Sequence, residues 1–243
     1  MSATPHSAPR PAPRRERARA ATIDEIKHTA LDLMRNNGSI DIKFTDIARV
    51  MELTPPALYR YFADRDALLN VLIADAYVAL GAAVAAAREA VPVEDVWRRF
   101  LAIAQAYRHW ARSDPQLFTL ILGMPIAGYV APEEGPTTEA AQGAMLELSR
   151  VFVDANRQGK LDEPMIRSVT DDLVEHKKQK HHEADEMSAG HFAAMLHCWA
   201  SLHGFTALEA YGHFDWLTEK ARDGLFVDQV ALAARAAGIS IPD

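Results

Sequence analysis

Between Phe44 and Leu69 the chain reads FTDIARVMELTPPALYRYFADRDALL, two short apolar patterns of helical spacing with almost nothing between them. Phe44, Ile47, Ala48 and Met51 form the first; Leu58, Tyr59 and Phe62 form the second, after Pro55. Thr54 before Pro55 is a start signal. A Thr hydroxyl accepts from the orphan N–H groups of a first turn, and Pro at the first helical position loses no bond. Two short helices joined by so tight a turn are a helix-turn-helix, whose second helix can enter a DNA major groove.

The chain around this motif has 243 residues, 49% hydrophobic and 24% charged, a globular composition with room for two helical domains. A single cysteine, Cys198, excludes an internal disulfide and suits a reducing cytoplasm. No apolar run approaches the roughly 20 residues of a membrane span. The Pro-, Ala- and Arg-rich start lacks an export signal's apolar core, so a cytoplasmic protein without a membrane partner is expected. The net charge of −7 argues against nucleic acid, but it is unevenly distributed. Residues 1–70 carry 11 Lys and Arg against 9 Asp and Glu; residues 71–243 carry 15 against 24. The basic excess gathers at Arg10, Arg14, Arg15, Arg17 and Arg19, and a local basic segment binds phosphates even on an acidic protein.

Along the chain, Pro5, Pro9, Pro11 and Pro13 predict a disordered arm over residues 1–19, either a solvated tail or an arginine arm tracking phosphates. A first helix is predicted over 22–36, stopped by Asn37-Gly38. A long Ala-rich helix runs from Arg65 to Val91-Pro92, and an amphipathic one spans 93–112. Asp114-Pro115 opens a short helix. Further helices are expected at 138–158, near 163–176 and at 188–213, with a terminal pair at 215–223 and 225–237. Strand alternation and internal repeats are not evident, so the fold class is all-α.

The residues Ile47-Ala48, Leu53-Thr54, Leu58-Tyr59-Arg60-Tyr61-Phe62, Arg65 and Leu68-Leu69 resemble the TetR family of bacterial transcriptional regulators, specifically over residues 20 to 80. Three departures stand out. Glu52 occupies the turn where the family usually has Gly, and a non-Gly residue at positive φ costs around 1 kcal/mol. Lys43 stands where a capping Thr or Ser usually opens the second helix, which leaves Asp41 or Thr45 to cap. Arg65 replaces the usual Lys. Trp199, His203-Gly204 and Gly212-His213 also resemble the TetR subgroup named for its Trp, His and Gly.

The resemblance implies a DNA-binding domain over 20–80 (motif 43–62), an effector-binding and dimerisation domain over 81–243, and a double-stranded DNA operator as partner. Candidate DNA-binding residues are Lys43, Thr45, Thr54, Pro55, Pro56, Ala57, Tyr59, Arg60, Tyr61 and Arg65. The start of the second helix offers N–H groups to a phosphate. Arg60 is its only cation, so base readout leans on hydroxyl, apolar and shape contacts. Family likeness also implies a cavity for a small-molecule effector among the aromatics of the body. Its candidate lining is Trp97, Phe100, Tyr107, Trp110, Phe118, Phe152, Trp199 and His203, although each is most simply core.

Other clusters carry less. His176, His181 and His182 lie in a polar Lys-rich run and read as a solvated face. His203 and Glu209 share an apolar helix, and the simpler reading is a buried histidine satisfied by a neighbour. With no nucleophile setting, glycine-rich phosphate loop or metal motif, neither enzyme activity nor a cofactor or metal is expected. The helix at 188–213 is apolar nearly all round. A homodimer through it and the 138–158 helix, which offers Ala144, Leu148, Val151 and Ala155, is therefore expected. The resulting reading is a repressor released from a palindromic operator by a small-molecule effector. The alternatives are a constitutive helix-turn-helix DNA binder and an all-α enzyme carrying the same N-terminal domain.

Overall fold

The computed structural model describes residues 14–166, 169–180 and 186–242; Arg10, His181, His182 and Asp185 lie outside them. Among the described residues ten helices follow in order. They are α1 Arg14–Asn37, α2 Phe44–Val50, α3 Pro55–Leu58, α4 Arg65–Glu89 and α5 Val96–Ser113, then α6 Pro115–Leu122, α7 Pro136–Arg157, α8 Asp171–Lys180, α9 Ala189–Ala210 and α10 Glu219–Ala236. Apart from an isolated bridge between Leu161 and Ile239, the described chain has no β-structure, so the fold is all-α as expected.

Two units emerge, one ending at Leu69 and the other starting at Asn70, so residues 70–80 group with the body and not with the DNA-binding domain. The reason lies in their partners. The Asn70 carbonyl accepts from Thr137, the Asn70 amide oxygen accepts from Tyr129 (2.6 Å), and Tyr77 donates to the Ile121 carbonyl. Leu80 and Val84 join the body core.

In the first unit Ile26, Ala30 and Met34 form the buried stripe of α1, and Ile42, Phe44, Ile47, Ala48, Leu58, Phe62, Leu68 and Leu69 pack the same interior. The Met34 carbonyl receives the Ser39 N–H across Gly38, whose φ of +61° ends α1 as a glycine should. At its other end α1 starts well before residue 22. Residues 14–19, expected as part of an irregular arm, are helical. Pro13 is the last of the breakers, and the run RRERARAA after it consists of strong helix formers.

The second unit is built around the fully buried rings of Phe100, Phe118, Phe152, Phe192 and Phe226, with Phe100 and Phe152 edge to face at 6.1 Å. Its helix starts follow sequence signals. Asp95 accepts from the Arg98 N–H, Asp114 from the Leu117 N–H, and Ser188 from the His191 N–H. Thr170 accepts from the Leu173 N–H, which starts α8 later than the expected 163–176. The expected terminal pair is one continuous helix. Gly224 sits inside α10, where a lone Gly costs about 1 kcal/mol relative to Ala; burial of Phe226, Val230, Ala233 and Ala234 opposes that cost.

One further expectation is corrected. By length and composition α4 is apolar enough to cross a membrane, because alanine, leucine, valine and isoleucine make up most of it. Its Leu72, Ile73, Ala76, Leu80 and Val84 are buried within the protein. α7 packs its apolar face inside the chain. Leu148, Val151 and Ala155 face the chain's own core, and the helix turns Gln142, Gly143, Arg150 and Arg157 outward. Both flanks of α9 are also covered within one chain, as the Cys198 thiol against the Ala233 carbonyl of α10 illustrates. The outward strip of α9 is narrow: His197, Ala200, Gly204 and Leu208.

Candidate DNA interface and body cavity

The turn between α2 and α3 closes through Met51 N–H to Ile47 O and Leu53 N–H to Ala48 O, with Glu52 between them at φ +53°. Glu52 is the non-glycine residue at positive φ among the described residues, at the turn where the TetR resemblance puts Gly. Neither helix is capped by a side chain. At α2 the Lys43 carbonyl takes the Asp46 and Ile47 N–H groups, and Asp41 is engaged by Arg65. At α3 the expected Thr54 cap is missing because Pro55 and Pro56 have no N–H to offer. The first available donor, on Ala57, goes to the Thr54 carbonyl at 2.8 Å. The same prolines remove the phosphate-binding N–H groups expected at this helix start.

Lys43, Thr45, Thr54, Pro55, Pro56, Tyr59 and Arg60 are exposed, whereas Ala57, Tyr61 and Arg65 are half-buried. Leu58 and Phe62 hold the segment down. Tyr59, expected beside them on the packed face, is turned outward with its ring tilted against Phe44 at 5.2 Å. Arg65 works inside the fold: its Nε donates to the Ile42 carbonyl and its Nη2 to Asp41, both at 3.0 Å, tying the start of α4 to the loop before α2. Sequence reasoning missed the role of Arg19. Its guanidinium donates to the Arg60 carbonyl at 3.0 Å and lies over the Tyr61 ring, 5.3 Å from the centroid. It therefore braces the carboxyl end of the recognition segment, where carbonyls favour a cation.

In the body, a cavity of about 150 Å³ opens between α4, α5, α7 and α9. Tyr77, Leu80 and Val84 of α4 line it, with Ile103 and Tyr107 of α5 and Leu122 of α6. Ala141, Ala144, Met145 and Leu148 of α7 and Trp199 and Leu202 of α9 complete it. Of the eight expected lining residues, Tyr107 and Trp199 are present. Phe100, Phe118 and Phe152 are solid core, and Trp97 and Trp110 pack on that core elsewhere. His203 stands behind the wall, its Nδ1 2.9 Å from the Tyr107 hydroxyl, its ring stacked on Trp199 and near Phe118. Burial drives the Tyr107 phenol well above its ordinary pKa, with Tyr77 and Tyr211 adding to it. Burial also holds the His203 imidazole below its usual value, and it pushes the Cys198 thiol up to about 12. The large rings fill space; the void lies where Ala141 and Ala144 leave it.

Glu209 is likewise satisfied structurally. Arg108 grips it with two bonds of 2.5 and 2.6 Å and reaches Asp223 at 2.8 Å. The same guanidinium lies 4.7 Å over Phe226, so α5, α9 and α10 meet at one charge cluster. The sequence signal was an arginine on the apolar stripe of α5, one turn from Ala104 and Ala111. No group of metal-ligating side chains is present among the described residues.

A helix-turn-helix with an outward recognition segment, followed by a helical body, defines a transcriptional regulator. A family model described as the tetracycline repressor-like C-terminal domain matches residues 100–233. The HTH-type transcriptional regulators Rv1816 of Mycobacterium tuberculosis and Mb1846 of Mycobacterium bovis are each 30% identical over 214 residues, 84% of this chain and 86% of theirs. The crystal structure of SCO4313, a candidate regulatory protein, superposes with a TM-score of 0.70 at 29% identity, over 91% of this chain and 98% of that one. The chain belongs to the TetR family of transcriptional regulators, whose members bind DNA and dimerise.

Proposed function

We propose that this protein is a cytoplasmic repressor that binds a palindromic double-stranded operator as a homodimer and leaves it when a small molecule fills the body cavity. The observation that carries the reading is the pairing of an exposed recognition segment with an apolar cavity whose wall includes Tyr77, Leu80 and Val84 of α4. Because α4 begins at Arg65 beside the DNA-binding helices, a ligand that favours one placement of α4 biases the separation of the two recognition segments. DNA contacts are assigned to Lys43, Thr45, Thr54, Pro55, Pro56, Tyr59 and Arg60. Ala57 and Tyr61 sit at the margin, and Arg65 meets a phosphate only from the part of its guanidinium beyond Ile42 and Asp41.

The dimer face is assigned to α9 and α10. The narrow strip His197, Ala200, Gly204 and Leu208 lies on α9, which packs against α10, where Leu225 and Leu232 are 47% and 60% exposed. Small residues let two such helices approach their copies closely, and the two-fold symmetry matches a palindrome. The Trp199–His203 stack, next to Gly204, supports placing the chain in the Trp-His-Gly subgroup. No catalytic role is assigned to any residue. The constitutive alternative draws on the cavity's size, since ligand pockets usually hold about 300–1,000 Å³.

The test starts by selecting bound sequences from random DNA. Selection should return a palindrome, and Arg60→Ala should weaken binding and flatten the slope of log K against log salt by about 0.9. Recovery of no sequence preference would refute the regulator's specificity. Operator binding indifferent to every cavity ligand would favour the constitutive reading.

A further inference from the structure

The body cavity has no means of holding a charge. Among the described residues none that lines it is ionised at neutral pH, and its polar-tipped members are Tyr77, Tyr107 and the Trp199 indole. The buried charges of α4 and α7, Arg88 and Glu147, are paired with each other at 2.8 Å. A carboxylate or ammonium entering this space loses its hydration and meets no counter-ion. His203 does not supply a hidden one, since burial disfavours its cation and Tyr107 stands between it and the cavity.

The two phenols differ in what they can still offer a ligand. The Tyr77 O–H is given to the Ile121 carbonyl at 2.8 Å, which leaves only its lone pairs. Tyr107 is more versatile. If its hydroxyl donates to His203 Nδ1, the phenol oxygen still accepts; if Nδ1 donates, the phenol O–H is free to donate. Either a hydroxyl or a carbonyl on a ligand is thus served. The volume of about 150 Å³ sets the size, because apolar cavities of that order hold one benzene ring. Trp199 and Met145 in the wall favour an aromatic occupant.

We propose that the cavity takes a small neutral molecule of about one aromatic ring, bearing a single hydroxyl or carbonyl that meets Tyr107, and rejects carboxylates and amines of the same shape. The proposal rests on the reading that this cavity is the effector site. The experiment is calorimetric titration of the full-length protein at pH 7.5 with benzyl alcohol, benzoate and benzylamine, paired with operator gel shifts for each probe. Benzyl alcohol should bind, and the two ions should bind at least about tenfold more weakly. Ala144→Leu, which grows into the void, should remove benzyl alcohol binding. Tyr107→Phe should weaken it several-fold while leaving toluene binding unchanged, and this holds even if the first variant fails to fold.

Equal affinity for benzoate or benzylamine overturns the proposal, as does benzyl alcohol binding that neither variant changes. So does the absence of binding by all three probes at millimolar concentration. Two outcomes separate the ligand class from the effector reading. Selective benzyl alcohol binding without operator release supports the class and sinks the effector reading. Operator release by benzoate keeps the effector reading and sinks the class.

Discussion

Glu209→Gln should destabilise the body severely while changing almost no volume. The Glu209 side chain is 2% exposed and Arg108 holds it in a two-bond fork, while Arg112 and Arg222 face it at 4.0 and 3.9 Å. A neutral amide leaves three guanidinium groups crowded around a site with no central anion. Breaking one side of a buried ion pair typically costs about 3–5 kcal/mol. Asp223, still 2.8 Å from Arg108 but half-exposed, offsets part of this, so the lower end of about 3 kcal/mol is expected. That is a large share of a total stability of about 5–15 kcal/mol. All four tryptophans, Trp97, Trp110, Trp199 and Trp216, lie beyond Asn70, so their fluorescence in urea reports the body alone. With a slope of about 1–3 kcal/mol per molar urea, the midpoint should fall by about 1 M or more. Added salt at 0.5 M should not erase the difference, because the pair is out of reach of screening ions. The paired replacement Arg108→Met with Glu209→Leu should recover most of the loss. A midpoint shift below about 0.3 M for Glu209→Gln would refute the view that this carboxylate is the electrostatic centre of the cluster.

Other outcomes are expected from single positions. Glu52→Gly should relieve the left-handed backbone and stabilise the helix-turn-helix by about 0.5–1 kcal/mol, slowing exchange of the Leu53 and Phe62 amides two- to fivefold; faster exchange would contradict it. Arg19→Ala should weaken operator binding without flattening its salt slope, because Arg19 braces Arg60 and Tyr61 rather than a phosphate; a flattened slope would make it a DNA contact. The folded-state pKa of His203 is depressed below 6.5 by burial, so the unfolded chain takes up that proton first. Stability should accordingly decline as pH falls below about 6.5, and His203→Gln should lessen that decline; an identical pH profile in the variant would count against the assignment. Leu208→Arg, on the outward strip of α9, should sediment as a monomer and lose operator binding, and a wild-type protein that is monomeric at micromolar concentration would remove the dimer reading altogether.

The linear order of residues determined much of what depends on near neighbours. The spacing of Phe44, Ile47 and Ala48, the helix start at Asp114-Pro115 and the stop at Gly38 all follow from interactions within a few residues, and the structure has each of them. Local logic failed where two local signals competed. Thr54 reads as a cap only until Pro55 and Pro56 are counted as missing donors, and Gly224 reads as a break until the buried neighbours of α10 are known.

The tertiary structure alone decided which faces meet. The family resemblance implied a ligand site among the aromatics of the body, but large rings fill space, and the cavity formed at Ala141 and Ala144, where small side chains from α7 face α4 and α5. Nothing in the spacing of Arg19 and Arg60, or of Arg108 and Glu209, brings them together; the helices carrying them do. The proposed dimer face on α9 and α10 depends on the packed chain for the same reason. An apolar helix pattern states that a face will be covered, and only the packed chain shows whether its own helices or a second copy must do the covering.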